Sequence, residues 1–231
     1  MNKTNTENRY VQILSTGVRL EGIVSIPEEP RGFVLFVHGS GSSRHSPRNQ
    51  YVAQTLQEGG MATLLFDLLT AYEEESDLQN RYLRFDINLL ARRTEGVLEW
   101  LDLQPYTYGL KKGLFGSSTG AAAALMAAAE LPDQVDAIVS RGGRPDLAGT
   151  ALQNVEAPTL LIVGGNDQVV VDLNEQALES MPPEGHKKLV VVPGASHLFE
   201  EAGALEHAAR LARDWFQTHL DGVGVRGGEP W

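Results

Sequence analysis

The stretch Lys111-Lys112-Gly113-Leu114-Phe115-Gly116-Ser117-Ser118-Thr119-Gly120-Ala121-Ala122-Ala123-Ala124-Leu125-Met126 decides how this chain is read. It holds a short basic and apolar run that suits a brief buried strand, then G-x-S-x-G, then an alanine-rich run of high helix propensity. Strand, glycine-flanked turn and helix is the layout that holds a serine hydroxyl out of a sheet at a sharp bend. A side chain at either glycine would crowd that bend. Ser118, at the centre of the frame, is the candidate nucleophile. Ser117 sits one position early and is expected to point away.

A serine hydroxyl needs a general base, and the base needs an orienting acid. Working outward, two apolar runs end in suitable residues. Leu160-Leu161-Ile162-Val163-Gly164-Gly165-Asn166-Asp167 places Asp167 just past a strand, and Leu189-Val190-Val191-Val192-Pro193-Gly194-Ala195-Ser196-His197 places His197 past another. His197 is the expected base, because imidazole is the side chain that changes charge near neutral pH. Asp167 is the expected acid, with Asp146 and Asp172 as rivals. Upstream, Phe33-Val34-Leu35-Phe36-Val37 runs into His38-Gly39-Ser40-Gly41-Ser42-Ser43, a strand followed by a Gly/Ser loop. The backbone N–H groups of Ser40 and Thr119 are the expected oxyanion-hole donors. That loop lacks the lysine of a nucleotide-binding P-loop and the spacing of G-x-G-x-x-G. Glu200 and Glu201 are read as the start of the last helix, where its N-terminal dipole favours acids.

The chain has 231 residues, 42% of them hydrophobic, enough to bury the core of one domain. Its formal net charge of -11 argues against nucleic acid and against anionic membranes. There is no cysteine, hence no disulfide framework, thiolate metal site or cysteine nucleophile. No histidine pair has metal-ligand spacing with a carboxylate, so neither a metal nor another cofactor is expected. The first residues lack the apolar segment of a signal peptide, and no apolar run approaches the ~18 residues of a membrane span. The expectation is a cytoplasmic monomer or homodimer acting on a small-molecule ester.

Strand and helix patterns alternate along the chain. Strands are expected at 10–15 and 18–26, joined by a Thr16-Gly17 hairpin turn, and at 33–37, 62–66, 111–115, 137–139, 159–163 and 188–192. Helices are expected at 51–57, 86–103, 121–129, 173–179 and 205–219. Residues 70–82 read as acidic and irregular. The pattern predicts an α/β fold, a mostly parallel eight-stranded sheet with helices on both faces. Residues 1–9 are expected to be frayed, 10–221 to form one domain and 222–231 to be a glycine-rich tail. Residues 140–158 leave room for a loop and one short helix but no lid, which predicts an open site and acyl groups of about two to six carbons. Arg141 and Arg144 follow the sixth strand, either holding an anionic group of the substrate or pairing with Asp67, Asp86 or Asp146 to order the loop.

The four segments His38-Gly39-Ser40-Gly41, Gly116-Ser117-Ser118-Thr119-Gly120, Gly164-Gly165-Asn166-Asp167 and Gly194-Ala195-Ser196-His197 together resemble a small α/β-hydrolase of the dienelactone-hydrolase-like group. The resemblance runs from about Tyr10 to Leu220, and the chain order Ser, Asp, His is that of α/β-hydrolases. Ser140-Arg141-Gly142-Gly143-Arg144-Pro145-Asp146 also resembles a subset of this group. Dienelactone hydrolases carry cysteine at the nucleophile position, whereas this chain has Ser118. The resemblance therefore implies serine hydrolysis of small carboxylic esters or lactones through an acyl-enzyme. Acyl transfer or perhydrolysis on the same triad, and non-catalytic binding on a hydrolase fold, are the alternatives.

Overall fold

A computed structural model describes residues 6–222. Alternation in the strands sorts side chains to the two faces of one sheet. In β3 (Gly32–Val37), Phe33, Leu35 and Val37 enter one apolar layer, while Val34 and Phe36 enter the other. The eight strands are β1 (Thr6–Ser15), β2 (Val18–Pro27), β3, β4 (Met61–Phe66), β5 (Lys112–Ser117), β6 (Ala137–Arg141), β7 (Thr159–Gly164) and β8 (Lys187–Val192). They lie in the order β1-β2-β4-β3-β5-β6-β7-β8. β1 and β2 are antiparallel to their neighbours, and the other six strands run parallel. Helices α1 (Pro47–Glu58) and α6 (Ala204–Leu220) cover one face. Helices α3 (Ile87–Asp102), α4 (Thr119–Glu130) and α5 (Gln168–Ser180) cover the other. This is the expected α/β-hydrolase architecture, with no lid between β6 and β7. That interval holds only 3-10 turns over Pro145–Asn154. No described helix is long and apolar enough to cross a membrane.

Three differences from the expected pattern have local causes. β1 begins at Thr6, so residues 6–9 are strand and not frayed. Their backbone pairs with Val24–Pro27, and Ser25 Oγ donates to Asn8 Oδ1 at 2.6 Å. The glycine-rich tail expected at 222–231 lies, apart from Gly222, outside the described residues, as do residues 1–5. Helix α1 starts at Pro47, because Ser46 Oγ accepts from Asn49 N and proline is pre-set for the first helical position.

The largest difference is residues 70–82, expected to be irregular. They contain helix α2 (Ala71–Asn80). Thr70 Oγ1 accepts from Glu73 N at 3.2 Å, and the Glu73 carboxylate accepts from Thr70 N at 2.8 Å. This reciprocal cap satisfies two otherwise orphaned donors. Buried Arg93 of α3 then donates to Leu68 O and to Glu73, both at 2.5 Å, fastening the start of α2 to the body. At the other end Asp77 accepts from Leu83 N at 2.7 Å and from the Arg84 guanidinium.

Two contacts set the edge of the sheet where strands β3 to β8 end. A Cβ on Gly120 would lie 2.2 Å from Val37 O and 2.4 Å from His38 O, and one on Gly116 2.4 Å from Ala121 Cα. The elbow thus packs at glycine distance against both its own helix and β3. His38 is buried and ties β3 to the chain after β4. Its Nε2 accepts from Leu68 N at 3.0 Å and its Nδ1–H donates to Gly39 O at 2.9 Å, which assigns the Nδ1 tautomer.

Gly120→Ala is expected to destabilise the protein by about 1–3 kcal/mol, measured as a lowered urea midpoint, because backbone carbonyls cannot retreat from the new methyl. Burial holds His38 below the ordinary imidazole range, keeping it neutral in the folded chain. The unfolded chain takes up that proton near pH ~6.5, so stability falls as pH drops below that value toward the folded pKa. His38→Asn should lower the melting temperature at about pH 8 yet flatten its further fall toward about pH 5.

Candidate active site

Loops at the carboxyl ends of parallel strands converge on one edge, where ligands of open α/β sheets bind. β5 ends at Ser117, still in the strand and paired with Arg141. The chain then turns at Ser118, whose φ of 51° and ψ of -125° are unusual for a residue with a side chain. Such a conformation costs about 1–3 kcal/mol and persists only where the surroundings impose it. Here Ser118 N donates to Arg141 O at 3.4 Å and Ser118 O accepts from Arg144 N at 3.0 Å. Loop 39–42 presses on the bend from the β3 side: a Cβ on Gly39 would lie 2.9 Å from Ser118 Cβ.

Asp167 follows β7 and His197 follows β8, and the two meet: His197 Nδ1–H donates to Asp167 Oδ2 at 2.7 Å. The rival acids are engaged elsewhere. Asp146 accepts from Arg144 at 2.7 and 2.8 Å, and Asp172 accepts from Gln168 at 2.8 Å. Ser118 and His197 line one cavity of about 550 Å³. Ser118 Oγ makes no hydrogen bond among the described residues, so its hydroxyl is free to turn toward an incoming group. Thr119 follows Ser118 as the first residue of α4. Ser40 N donates to Thr119 Oγ1 at 2.9 Å, so these two residues are in direct contact.

The two arginines part ways. Arg144 forms the bidentate pair with Asp146 and orders its loop. Arg141 is the last residue of β6 rather than part of the loop beyond it. It is only 7% exposed, yet it lines the cavity beside Ser118 and His197. Its guanidinium carbon lies 5.8 Å from the Phe199 ring centroid and 6.0 Å from that of Phe115. It donates to Asn49 Oδ1 at 3.3 Å, while its Nε and Nη1 have no partner among the described residues. Burial first, then the charge of Arg48, pushes its pKa down to about 10, so it stays charged at neutral pH. Neither Asp67 nor Asp86 pairs with Arg141 or Arg144. Asp67 binds Arg44, and Asp86 caps α3 by accepting from Leu89 N at 2.9 Å.

Several residues at the site carry no sequence signal that we read. Glu201 was expected in the first turn of the last helix, but α6 starts at Ala204. Its carboxylate instead accepts from Ser196 N at 2.9 Å and closes the turn that carries His197. That hydrogen bond, first, holds its carboxyl below the usual range. Asn49, Arg48 and Phe199 reach the Arg141 side from α1 and from the loop after His197. A second cavity of about 380 Å³ lies on the other side of loop 39–42, between that loop and α2. The expectation of a cleft without apolar cover holds for residues 140–158. It fails on this side, because α2 supplies a wall that the acidic stretch did not announce. Burial, with the Asp67 charge nearby, pushes the Glu74 carboxyl of that wall upward.

Comparison with known proteins bears on the family and the fold. The chain is 58% identical over 217 residues to a putative phosphoribosyl transferase of Mycobacterium tuberculosis, a match covering 94% of this chain and 48% of that protein. The chain therefore spans about half the length of the curated relatives it matches. A solved dienelactone hydrolase from Anabaena variabilis superposes with a TM-score of 0.90 at 57% identity, over 93% of this chain and 99% of that one. Est1E from Butyrivibrio proteoclasticus shares the fold at 16% identity, with a TM-score of 0.74 over 90% of this chain and 98% of that one. The family model for dienelactone hydrolases matches residues 20–220, which hold the strained elbow and the Asp167–His197 pair. The chain belongs to the dienelactone hydrolase family.

Proposed function

We propose that the protein is a serine hydrolase of small carboxylic esters or lactones. The observation that carries this reading is the 2.7 Å hydrogen bond to Asp167 from a His197 that lines the same cavity as Ser118, itself held at a strained elbow. Ser118 Oγ attacks the ester carbonyl while His197 Nε2 takes its proton. Asp167 fixes the tautomer and stabilises the imidazolium. The tetrahedral oxyanion is held by Thr119 N–H and by Ser40 N–H, which exchanges Thr119 Oγ1 for the developing charge. The C–O bond to the alcohol then breaks, and His197 returns the proton to the leaving oxygen. Water adds to the acyl-enzyme by the same steps in reverse, releasing the carboxylic acid and restoring Ser118. The phosphoribosyl transferase name belongs to proteins of which this chain matches only half, and this reading rests on the chain's own residues.

Arg141 adds charge selection. A guanidinium buried between two aromatic rings, without a carboxylate, is costly unless a ligand compensates it. Arg48, 3.5 Å from Glu200 at the surface, adds a second cation on the same side. Together they favour an anionic group beside His197, with the Arg144–Asp146 pair a loop clamp rather than a ligand.

Ser118→Ala should cut turnover of a short aryl ester by at least about 10³-fold with the fold intact, and Ser117→Ala by far less. A serine-directed phosphonate should label Ser118 alone; labelling at Ser117 would move the nucleophile. Arg48→Ala and Arg141→Gln should each raise KM for a carboxylated ester about tenfold, roughly 1.4 kcal/mol, and leave KM for its neutral analogue nearly unchanged. Equal losses on both esters, with a lower melting temperature, would make Arg141 a purely structural residue.

A further inference from the structure

We propose that the cavity between loop 39–42 and α2 is the acyl subsite, and that it takes an uncharged, apolar acyl group. This rests on the serine-hydrolase reading above and adds the direction in which the substrate lies and the chemistry of its acid half.

The direction follows from the proton. His197 must reach the leaving oxygen, so the alcohol half lies on the His197 side. His197, Arg141 and Arg48 all line the larger cavity and none of them lines the smaller one. Loop 39–42 borders both cavities, and Ser40 is one of the two proposed oxyanion donors. A carbonyl seated on Thr119 N–H and Ser40 N–H, with its alcohol toward His197, extends its acyl chain past the loop toward α2.

The chemistry follows from the lining. Leu68 and Leu69 rise from the end of β4, Leu90 from α3 and Leu78 from α2, giving the cavity an apolar interior. Glu74 and Glu75 stand at its edge and would repel a carboxylate. Arg84 also borders it, but its charge is already committed to Asp77. Glu74 borders both cavities, so they differ in what they do not share: Arg48, Arg141 and His197 line the larger one, whereas Glu75 and the leucines line the one under α2. The wall is fixed before substrate arrives, by the Thr70–Glu73 cap and by Arg93 bridging Leu68 O and Glu73. A cavity of about 380 Å³ is within the ordinary range for a small-molecule site. Leu78 is 70% exposed, an unpartnered leucine beside the opening.

The test is a series of p-nitrophenyl esters: acetate, butyrate, hexanoate and the glutarate monoester, whose acyl group ends in a carboxylate. For the unaltered protein, kcat/KM should rise about tenfold or more from acetate to hexanoate, and the glutarate ester should fall below the butyrate. Leu78→Asp should reduce the hexanoate-to-acetate ratio about tenfold. Leu103→Asp, on the 80% exposed leucine after α3, should keep that ratio. Because Leu78 points mostly to solvent, the variant should fold, which circular dichroism checks. Straight-chain alkylboronic acids give a second reading, since their inhibition constants should fall with chain length and should do so less in Leu78→Asp. Equal turnover of acetate and hexanoate, or a ratio insensitive to Leu78, overturns the subsite while leaving the hydrolase reading intact. Absence of any ester hydrolysis, together with no phosphonate labelling of Ser118, removes the hydrolase reading and this inference with it.

Discussion

The contact on which the site depends is the approach of Gly120 to the carbonyls of Val37 and His38. No Cβ fits there, since it would sit 2.2 Å from one oxygen and 2.4 Å from the other. That closeness docks the first turn of α4 onto the end of β3. It sets the elbow and loop 39–42 at a fixed separation, so Ser40 N can meet Thr119 Oγ1 at 2.9 Å. The backbone of Ser118 stays in a costly conformation because β6 holds it too, through Arg141 O and Arg144 N. Strain at this residue is thus maintained by packing from three strands rather than by its own preference.

Around that contact the charges are arranged by burial. Arg144 sits near solvent and is neutralised by Asp146, a local pair of modest worth. Arg141, three residues earlier, is covered by Phe115, Phe199 and Asn49 and has no acid beside it. The same residue type therefore plays two parts within one short segment, and depth in the fold separates them. Glu201 shows the converse. An acid that suits a helix start is instead drawn to Ser196 N, where it closes the turn that carries His197.

The α2 segment shows how the cleft acquires its shape without an inserted lid. Thr70 and Glu73 cap the helix, Arg93 fastens its start and Asp77 its end. Its inner side meets loop 39–42 and divides the edge of the sheet into two cavities. Helix α2 is short and largely polar, so it leaves little hydrophobic period to read, although the Thr-x-x-Glu cap was present in the sequence.

What the sequence by itself determined is whatever acts over a few neighbouring residues or along one element. The alternating apolar runs specify the strands, Gly116 and Gly120 permit the elbow, and the order Ser118, Asp167, His197 at strand ends marks the candidate site. Even there the first turn of α1 was legible in Ser46-Pro47 as cap and first residue. Tertiary structure alone decided which arginine is buried and that α2 walls an apolar cavity. Asp167 was legible at a strand end, and the pairing of β7 with β8 brings it to the imidazole. Arg141 meets Asn49 across 92 residues of chain, and Leu68, Leu78 and Leu90 enclose their cavity from three separate elements. Such neighbours are chosen by how layers pack over the whole sheet, and no local pattern of side chains encodes that choice.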